Sequence, residues 1–438
     1  MQKLVLLMIV AVTTIPFLVH LDLLPGQADF LPEIIGGIAL IASIAMGVRQ
    51  RFEYVRAAYW IVLGAILANM ICGILVNGVD AGPVFAGIRS YFRAIPFLLL
   101  PAAYAFSEEQ LEAQLSLLLK LVLLQAPIAA YQRLQPYVTG DSVFGTLMIS
   151  SFLSMFLICA ACVVTGFYLR GRLRAGPYLV LLVIVLAPTT FNETKGSLIL
   201  LPLALLVTFM VASPRGVRLK RLVAAAAVSV LFLAVFVPVY DYSQQDYTGR
   251  YMEGDRTIAD YFLEGRIERY LYGGAEGVGA TRQGEVRRVD AMIVPLKHLA
   301  RNPVQLVFGL GIGNVSHSAL GKKFTGHYFE QFEFFLLHSA SRLLLETGVL
   351  GLTLVLCLLW MIAADARKVA EHDAGTIGVT AVGWVGCVAV IAFGMFWKDI
   401  IGSSALGYLF WYFSGVVVAQ RMRLSRARAA RPVASVPA

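Results

Sequence analysis

Twelve apolar stretches recur along the 438-residue chain, and they constrain its fold more than any other feature. Most approach the ~20 residues that a helix needs to cross the hydrocarbon core of a bilayer. Inside lipid, each backbone amide needs a partner within its own segment, so such stretches form helices. Only 14% of the residues are charged, against about 25% in soluble domains. The sequence therefore predicts an all-α polytopic membrane protein with about 12 transmembrane helices, at residues 4–20, 31–48, 57–76, 91–106, 115–131, 144–169, 176–188, 197–211, 222–239, 343–363, 375–396 and 405–419.

Lysine and arginine cluster in alternate connections between these stretches, and this sets the predicted orientation. The clusters lie within residues 49–56, 170–174, 215–221, 367–368 and 421–431. Because basic connections stay on the cytoplasmic side, twelve spans place both termini in the cytoplasm. Topology thus accounts for the net charge of +9, which does not indicate a nucleic-acid partner.

One connection is much longer than the others and lies outside the cytoplasm by the same parity. It divides the chain into helices 1–9 (residues 1–239), a large external loop (240–337), and helices 10–12 with a basic tail (338–438). Within the loop, apolar residues recur at helical spacing over residues 288–299 and stop before Asn302 and Pro303. This pattern predicts a folded cap with an amphipathic helix that lies over the membrane surface.

Gly309, Gly311 and Gly313 form a Gly-x-Gly-x-Gly pattern within the loop. Glycines permit a tight backbone that approaches its neighbours closely, and its amides could either turn the chain or face a phosphate. No alternating strand and helix pattern surrounds them, so a nucleotide-binding loop is not indicated.

Several cationic side chains lie at the external ends of predicted helices. Lys195 begins an otherwise uncharged helix, and Arg89 and Arg93 lie one turn apart on another. Each could extend to the interface or hold an anionic headgroup. His338 and Arg342 are four residues apart where the loop re-enters the membrane, so they share a helix face. An imidazole there could cap the helix or accept a proton from a sugar hydroxyl.

These features occur together with short motifs in the second half of the chain, namely Thr194-Lys-Gly-Ser197, Arg287-Arg288, Asn302-Pro303, Gly309-Leu-Gly-Ile-Gly-Asn314 and the segment from His338 to Gly351. The combination resembles the O-antigen ligase and polymerase superfamily, most strongly over residues 191–351. The resemblance implies a glycosyltransferase of the bacterial inner membrane that takes glycans from undecaprenyl diphosphate on the periplasmic side.

The resemblance also implies roles for individual residues. Lys195 stands where the family has the arginine of its Ser-Arg-Gly stretch, and Arg287 or Arg288 matches its loop arginine. His338 corresponds to the ligases' histidine, but counted back from Gly348 it falls one residue later. One residue is about 100° on a helix, and this departure favours a polymerase over a ligase.

The implied donor is already activated, so the enzyme must supply positive charge as the diphosphate leaves. The expected catalytic residues are His338, Arg288 and Arg342, and the expected substrate-binding residues are Lys195, Arg93, Arg89, Arg287, Gly311 and Gly313. His338, or a loop carboxylate such as Glu330 or Glu333, is expected to deprotonate the acceptor hydroxyl. The scheme requires no metal and no cofactor.

Three functions fit these expectations. The first is a polymerase that joins undecaprenyl-diphosphate-linked repeat units into exopolysaccharide or O-antigen. The second is a ligase that moves finished glycan to lipid A core. The third is a polysaccharide-precursor transporter or flippase, although such proteins usually show two similar halves, which this sequence lacks. The implied partners are the lipid-linked glycan, a glycan acceptor, the bilayer, and a flippase and chain-length regulator of the same assembly machinery.

Overall fold

The structure, a computed structural model, describes residues 1–50, 54–135, 140–192, 194–212, 218–248, 288–336, 338–401 and 403–429. Within these ranges the chain is helical and contains no strand. In chain order the helices are α1 (Gln2–His20), α2 (Leu31–Gln50), α3 (Ala57–Asn77), α4 (Ala81–Phe92), α5 (Pro96–Ala103), α6 (Glu108–Arg133), α7 (Ser150–Leu169), α8 (Ala175–Phe191), α9 (Ser197–Val211), α10 (Arg218–Thr248), α11 (Asp290–Leu299), α12 (Pro303–Phe308), α13 (Phe329–Phe332), α14 (Ser339–His372), α15 (Thr376–Gly394) and α16 (Ser404–Ala429).

Eight of the described helices are long and apolar enough to cross a membrane, and a ninth span results if the bent pair α4 and α5 is counted as one. Large apolar side chains such as Ile41, Leu75 and Trp360 are exposed on their outer faces, as expected where lipid replaces water. The chain is a multi-pass membrane protein. The other predicted spans coincide with the shorter apolar helices α8 and α9 and with α16, so the count of twelve stays a prediction.

The predicted bounds of the long loop differ from the structure at one end. Helix α10 continues through Tyr240 to Thr248, so the polar residues that follow the apolar stretch form its last turns. Residues 249–287 lie outside the described ranges. At the other end α14 begins at Ser339, one residue from the predicted boundary at 338.

The predicted amphipathic helix is present as α11. Ala291, Pro295 and Leu299 are buried, and α11 packs on α14. Ile293 and Leu296 of the same helix are exposed. Asn302 then caps α12 by accepting a hydrogen bond from Val304 N–H at 3.0 Å, with Pro303 in the first helical position.

Helix α14 is broken at Gly348, and the glycine-rich loop fills the break. Gly348 has φ 68° and ψ −172°, a conformation that only glycine adopts easily. The amides of Leu310 and Gly311 donate to the carbonyls of Leu345 (2.7 Å) and Glu346 (3.1 Å). A break in a membrane helix leaves carbonyls without partners, and these two hydrogen bonds satisfy them.

Candidate functional site

The site is built around the connection between α15 and α16, which pairs with the first turn of α14. Ala340 N–H donates to Met395 O at 2.8 Å, and Ser339 N–H donates to Lys398 O at 3.2 Å. These bonds satisfy amides that a helix start leaves without intrahelical partners. They also fix Trp397, Lys398 and Asp399, called below the 397–399 turn, against α14.

Trp397 joins the loop arginine to the start of α9. The Arg288 guanidinium carbon lies 4.9 Å from the centroid of the Trp397 ring, and Arg288 also donates a hydrogen bond to the Trp397 carbonyl. On the α9 side, a Cβ placed on Gly196 would lie 2.8 Å from Trp397 Nε1. Only glycine therefore lets the ring approach this closely.

Lys195 lies near Trp397 because it precedes Gly196, which packs against that ring. Its ammonium lies 5.9 Å from the centroid of the Tyr240 ring on α10. The Asn192 side chain docks the segment on α7 by donating to Ser150 O at 2.9 Å. The structure thus brings Lys195 to the same end of the molecule as Arg288, with Gly196 and Trp397 between them.

His338 precedes α14 and is completely buried. Among the described residues, neither of its ring nitrogens has a hydrogen-bond partner. Burial, and then the positive charges of Arg288 and Lys398, lower the pKa of His338 to about 3. Burial and Arg288 also lower the pKa of Lys398. His338 is therefore a neutral imidazole at pH 7, beside two cations.

Arg342 is nearly buried in the first turns of α14, where it contacts four side chains. It donates to Ser90 Oγ at 3.0 Å, and its Nη1 lies 3.5 Å from Asp399 Oδ2. Its Nε lies 3.8 Å from Glu346 Oε2, and the guanidinium carbon lies 5.1 Å from the Tyr91 ring centroid. The arginine is thus held by two carboxylates and by α4.

Glu346 is fully buried one turn after Arg342. Its Oε1 accepts a hydrogen bond from Ser316 Oγ at 2.5 Å. A buried carboxylate requires such partners because its charge is costly to remove from water. This network connects α14 to the loop that carries Ser316.

A cavity of about 490 Å³ opens beside Arg342 and the 397–399 turn. Its size is within the ~300–1,000 Å³ typical of ligand pockets. It is lined by Ser316, His317, Phe329, Glu333, Phe334, Leu336, Arg342 and Asp399. A ligand in this cavity would meet a guanidinium and a carboxylate that are already in place.

Arg89 and Arg93 form a separate cluster with a carboxylate from α2. Arg89 binds Glu33 through two bonds of 2.7 Å, and Arg93 Nη1 lies 3.3 Å from the same carboxylate. The phosphate-binding role of these arginines stays a prediction, since Glu33 occupies them in this structure.

The remaining predicted site residues lie away from the cavity. Gly311 packs against Gly73 and Val79, and Gly313 packs against Pro83 and Gly87. Because both glycines are small, the loop approaches α3 and α4 closely. The Gly311 N–H donates a hydrogen bond to the Glu346 carbonyl. Glu330 is exposed and does not line the cavity. Arg287 lies outside the described residues.

Sequence reasoning overlooked Lys398, Asp399 and Glu346. The first two are charged residues in a short connection next to Trp397, and a Lys-Asp pair between apolar spans is the signal that could have identified them. Glu346 follows Arg342 by four residues within an apolar run. Such an i,i+4 pair of opposite charges in a span indicates a functional or buried network.

These observations define the class: a multi-pass helical membrane protein with a cation-rich polar site where several helices begin or end. Neither the comparison with protein-family models nor that with curated proteins finds a match. The likeness to the O-antigen ligase and polymerase superfamily accordingly rests on the motifs in the sequence.

Proposed function

We propose that this protein is a glycosyltransferase of the bacterial inner membrane. It joins undecaprenyl-diphosphate-linked repeat units into exopolysaccharide or O-antigen at the periplasmic face. The observation that supports this proposal most is the convergence of Arg288 and Arg342 on the 397–399 turn, which itself carries Lys398. Arg342 and Asp399 also line a cavity there. In a chain so poor in charge, cations are costly unless an anion or a carboxylate offsets them.

The position of the site along α14 supports the proposed orientation. Asp365 lies near the other end of this helix, 23 residues after Arg342. It is buried and pairs with Arg56 at 2.8 Å and with Arg421 at 3.9 Å. The basic end of a membrane protein faces the cytoplasm, so the cation-rich site would face the periplasm, where the lipid-linked glycan is presented.

The residue types suit departure of a diphosphate. An acceptor hydroxyl would attack the anomeric carbon with inversion, and the bond from that carbon to the diphosphate would break. Negative charge then grows on the leaving diphosphate, and fixed guanidinium and ammonium groups stabilise it. Guanidinium groups bind phosphate oxygens through paired hydrogen bonds and stay charged at any relevant pH.

The test is deletion of the gene in its host, followed by size analysis of surface and lipid-linked glycans on gels. A polymerase predicts loss of long chains, with single repeat units remaining on lipid A or on the carrier. Full-length chains left on undecaprenyl diphosphate would identify a ligase. Repeat units confined to the cytoplasmic leaflet would identify a flippase, and both results would overturn the proposal.

Complementation connects the activity to the site. Arg288→Ala and Lys195→Ala should fail to restore long chains although both proteins reach the membrane. Arg301→Ala removes an exposed arginine from the same segment and should restore them fully. Full activity of both site variants would contradict the assignment of these cations to the diphosphate.

A further inference from the structure

The proposed reaction needs a group that takes the proton from the acceptor hydroxyl, and the structure narrows the choice. The His338 ring is completely buried and does not line the cavity. Glu346 is equally buried and already accepts a hydrogen bond from Ser316. Among the described residues, the carboxylates that line the cavity are Glu333 and Asp399.

These two carboxylates differ in how firmly they are held. Glu333 is exposed in a short 3₁₀ turn at the rim. Asp399 accepts a hydrogen bond from Ser339 Oγ at 2.8 Å through one oxygen, and its other oxygen lies 3.5 Å from Arg342. Ser339 Oγ also accepts from Ile401 N–H at 3.0 Å, so this hydroxyl fixes both the carboxylate and its backbone.

Asp399 nevertheless remains accessible from the cavity. Its side chain is 28% exposed, whereas the Arg342 side chain beside it is 10% exposed. A general base has to be fixed in position and also has to be reachable by the hydroxyl that it deprotonates. Within the described part of the chain, Asp399 meets both conditions.

We propose that Asp399 is the general base of the glycosyl transfer, with Arg342 and Ser339 as the residues that position it. This inference rests on the proposed function. The acceptor hydroxyl gives its proton to an Asp399 oxygen while its own oxygen forms a bond to the anomeric carbon. The bond from that carbon to the diphosphate oxygen breaks, and its electron pair leaves with undecaprenyl diphosphate. Inverting glycosidases use a carboxylate to activate their nucleophile in the same way.

The proposal also assigns the diphosphate and the acceptor sugar to different residues around the 397–399 turn. Trp397 contacts Arg288, and the positive charges of Arg288 and Lys398 both act on His338, so the diphosphate would bind near these cations. Asp399 pairs with Arg342 and lines the cavity, where the acceptor sugar would bind. Attack and departure from opposite sides are what inversion requires.

The central experiment compares the polymerisation rates of Asp399→Asn and Asp399→Glu. Membranes containing each variant are prepared in the same way as wild-type membranes and are supplied with lipid-linked repeat units. Asparagine can still accept the hydrogen bond from Ser339 but does not take up the proton. Its polymerisation rate should fall at least ~100-fold, the typical loss for a missing general base. Glutamate should restore part of the rate. Glu371→Gln removes an exposed carboxylate that pairs with Arg367 and should leave the rate unchanged.

Two further measurements separate proton transfer from a structural role. Added formate should increase the rate of Asp399→Ala but not that of Arg288→Ala, because a small carboxylate can replace a missing base and not a missing guanidinium. If Asp399→Asn does not accumulate, the pH–rate profile of Asp399→Glu decides: a shifted acidic limb supports the proposal, and a profile identical to wild type overturns it.

The failure of this inference is distinguishable from failure of the proposed function. Full activity of Asp399→Asn together with an inactive Arg288→Ala would overturn the base and leave the glycosyltransferase intact. Loss of activity in Glu333→Gln or His338→Gln, with Asp399→Asn active, would assign the role to that residue. Normal glycans in the deletion strain would overturn both proposals.

Discussion

Arg288 contacts Trp397 in two ways: its guanidinium stacks on the indole ring at 4.9 Å, and it donates a hydrogen bond to the carbonyl of the same residue. The loop arginine is thereby attached to the 397–399 turn, and through the turn to the start of α14. A cation that is already held needs little reorganisation to meet a developing negative charge. The polymerisation rate is accordingly expected to depend on the shape of the Arg288 side chain as well as on its charge.

Substituting lysine for Arg288 separates shape from charge. Lysine keeps the positive charge but lacks the planar guanidinium that stacks and forms paired hydrogen bonds. The polymerisation rate of Arg288→Lys should fall about tenfold, consistent with the ~0.5–2 kcal/mol of a cation–π contact. Arg288→Ala should lose far more. Equal rates for the lysine variant and wild type would show that charge alone is sufficient at this position.

Gly196→Ala tests the contact between α9 and the same tryptophan. The added Cβ would lie 2.8 Å from Trp397 Nε1, so the ring must move, and overpacking of this kind costs about 1–3 kcal/mol. The rate should fall several-fold at an unchanged protein level in the membrane. Gly64→Ala is the matched control, since no atom lies within 4 Å of the Cβ position there. A Gly196→Ala rate equal to that of the control would show that Trp397 need not be fixed.

The sequence predicted the positions of most of the long helices because apolar length is a local property. The apolar stretch at 57–76, for example, coincides with α3 (Ala57–Asn77). The predicted span at 91–106 instead crosses the break between α4 and α5. The sequence also identified Lys195, Arg288, His338 and Arg342 as candidate site residues. The structure places them near one end of α14. Charged residues are rare in membrane segments, so each one stands out against its neighbours.

The partners of these residues could not be read from the sequence. Asp399 and Ser339 are separated by 60 positions, and Glu33 and Arg89 by 56. Hydrophobic periodicity contains no information about such pairs, because it reports which face of a helix is apolar and not which helices are neighbours. The glycine motif was ambiguous for the same reason, since its role depends on a break in α14 that lies 37 residues or so further on.

Glu346→Gln tests the buried ion pair that supports the site. Glu346 is fully buried and its partner Arg342 is 10% exposed. Removal of one member of a buried pair leaves the other charge uncompensated and typically costs about 3–5 kcal/mol, although Asp399 would offset part of this. The thermal midpoint of the purified protein should fall clearly. The paired replacement Arg342→Met with Glu346→Leu should recover much of the loss.

A control on the surface completes that comparison. Arg367 and Glu371 form an exposed pair on the same helix, with side chains 59% and 44% exposed. Exposed pairs contribute little to stability, so Arg367→Ala should leave the midpoint where it is. A similar fall for both substitutions would mean that burial of the Arg342–Glu346 pair has no special importance.

His338 predicts that stability depends on pH in the acidic range. Burial, Arg288 and Lys398 lower its pKa to about 3 in the folded protein, whereas an unfolded histidine titrates near 6.5. Between these values the unfolded chain binds a proton that the folded protein does not, so stability is lost as pH falls. The loss attributable to His338 should reach about 2 kcal/mol at pH 5, at ~1.4 kcal/mol per pH unit. Thermal midpoints of wild type and His338→Gln at pH 7 and pH 5 measure it. The wild type should fall further than the variant on acidification, and parallel falls would show that this imidazole is not kept neutral by its surroundings.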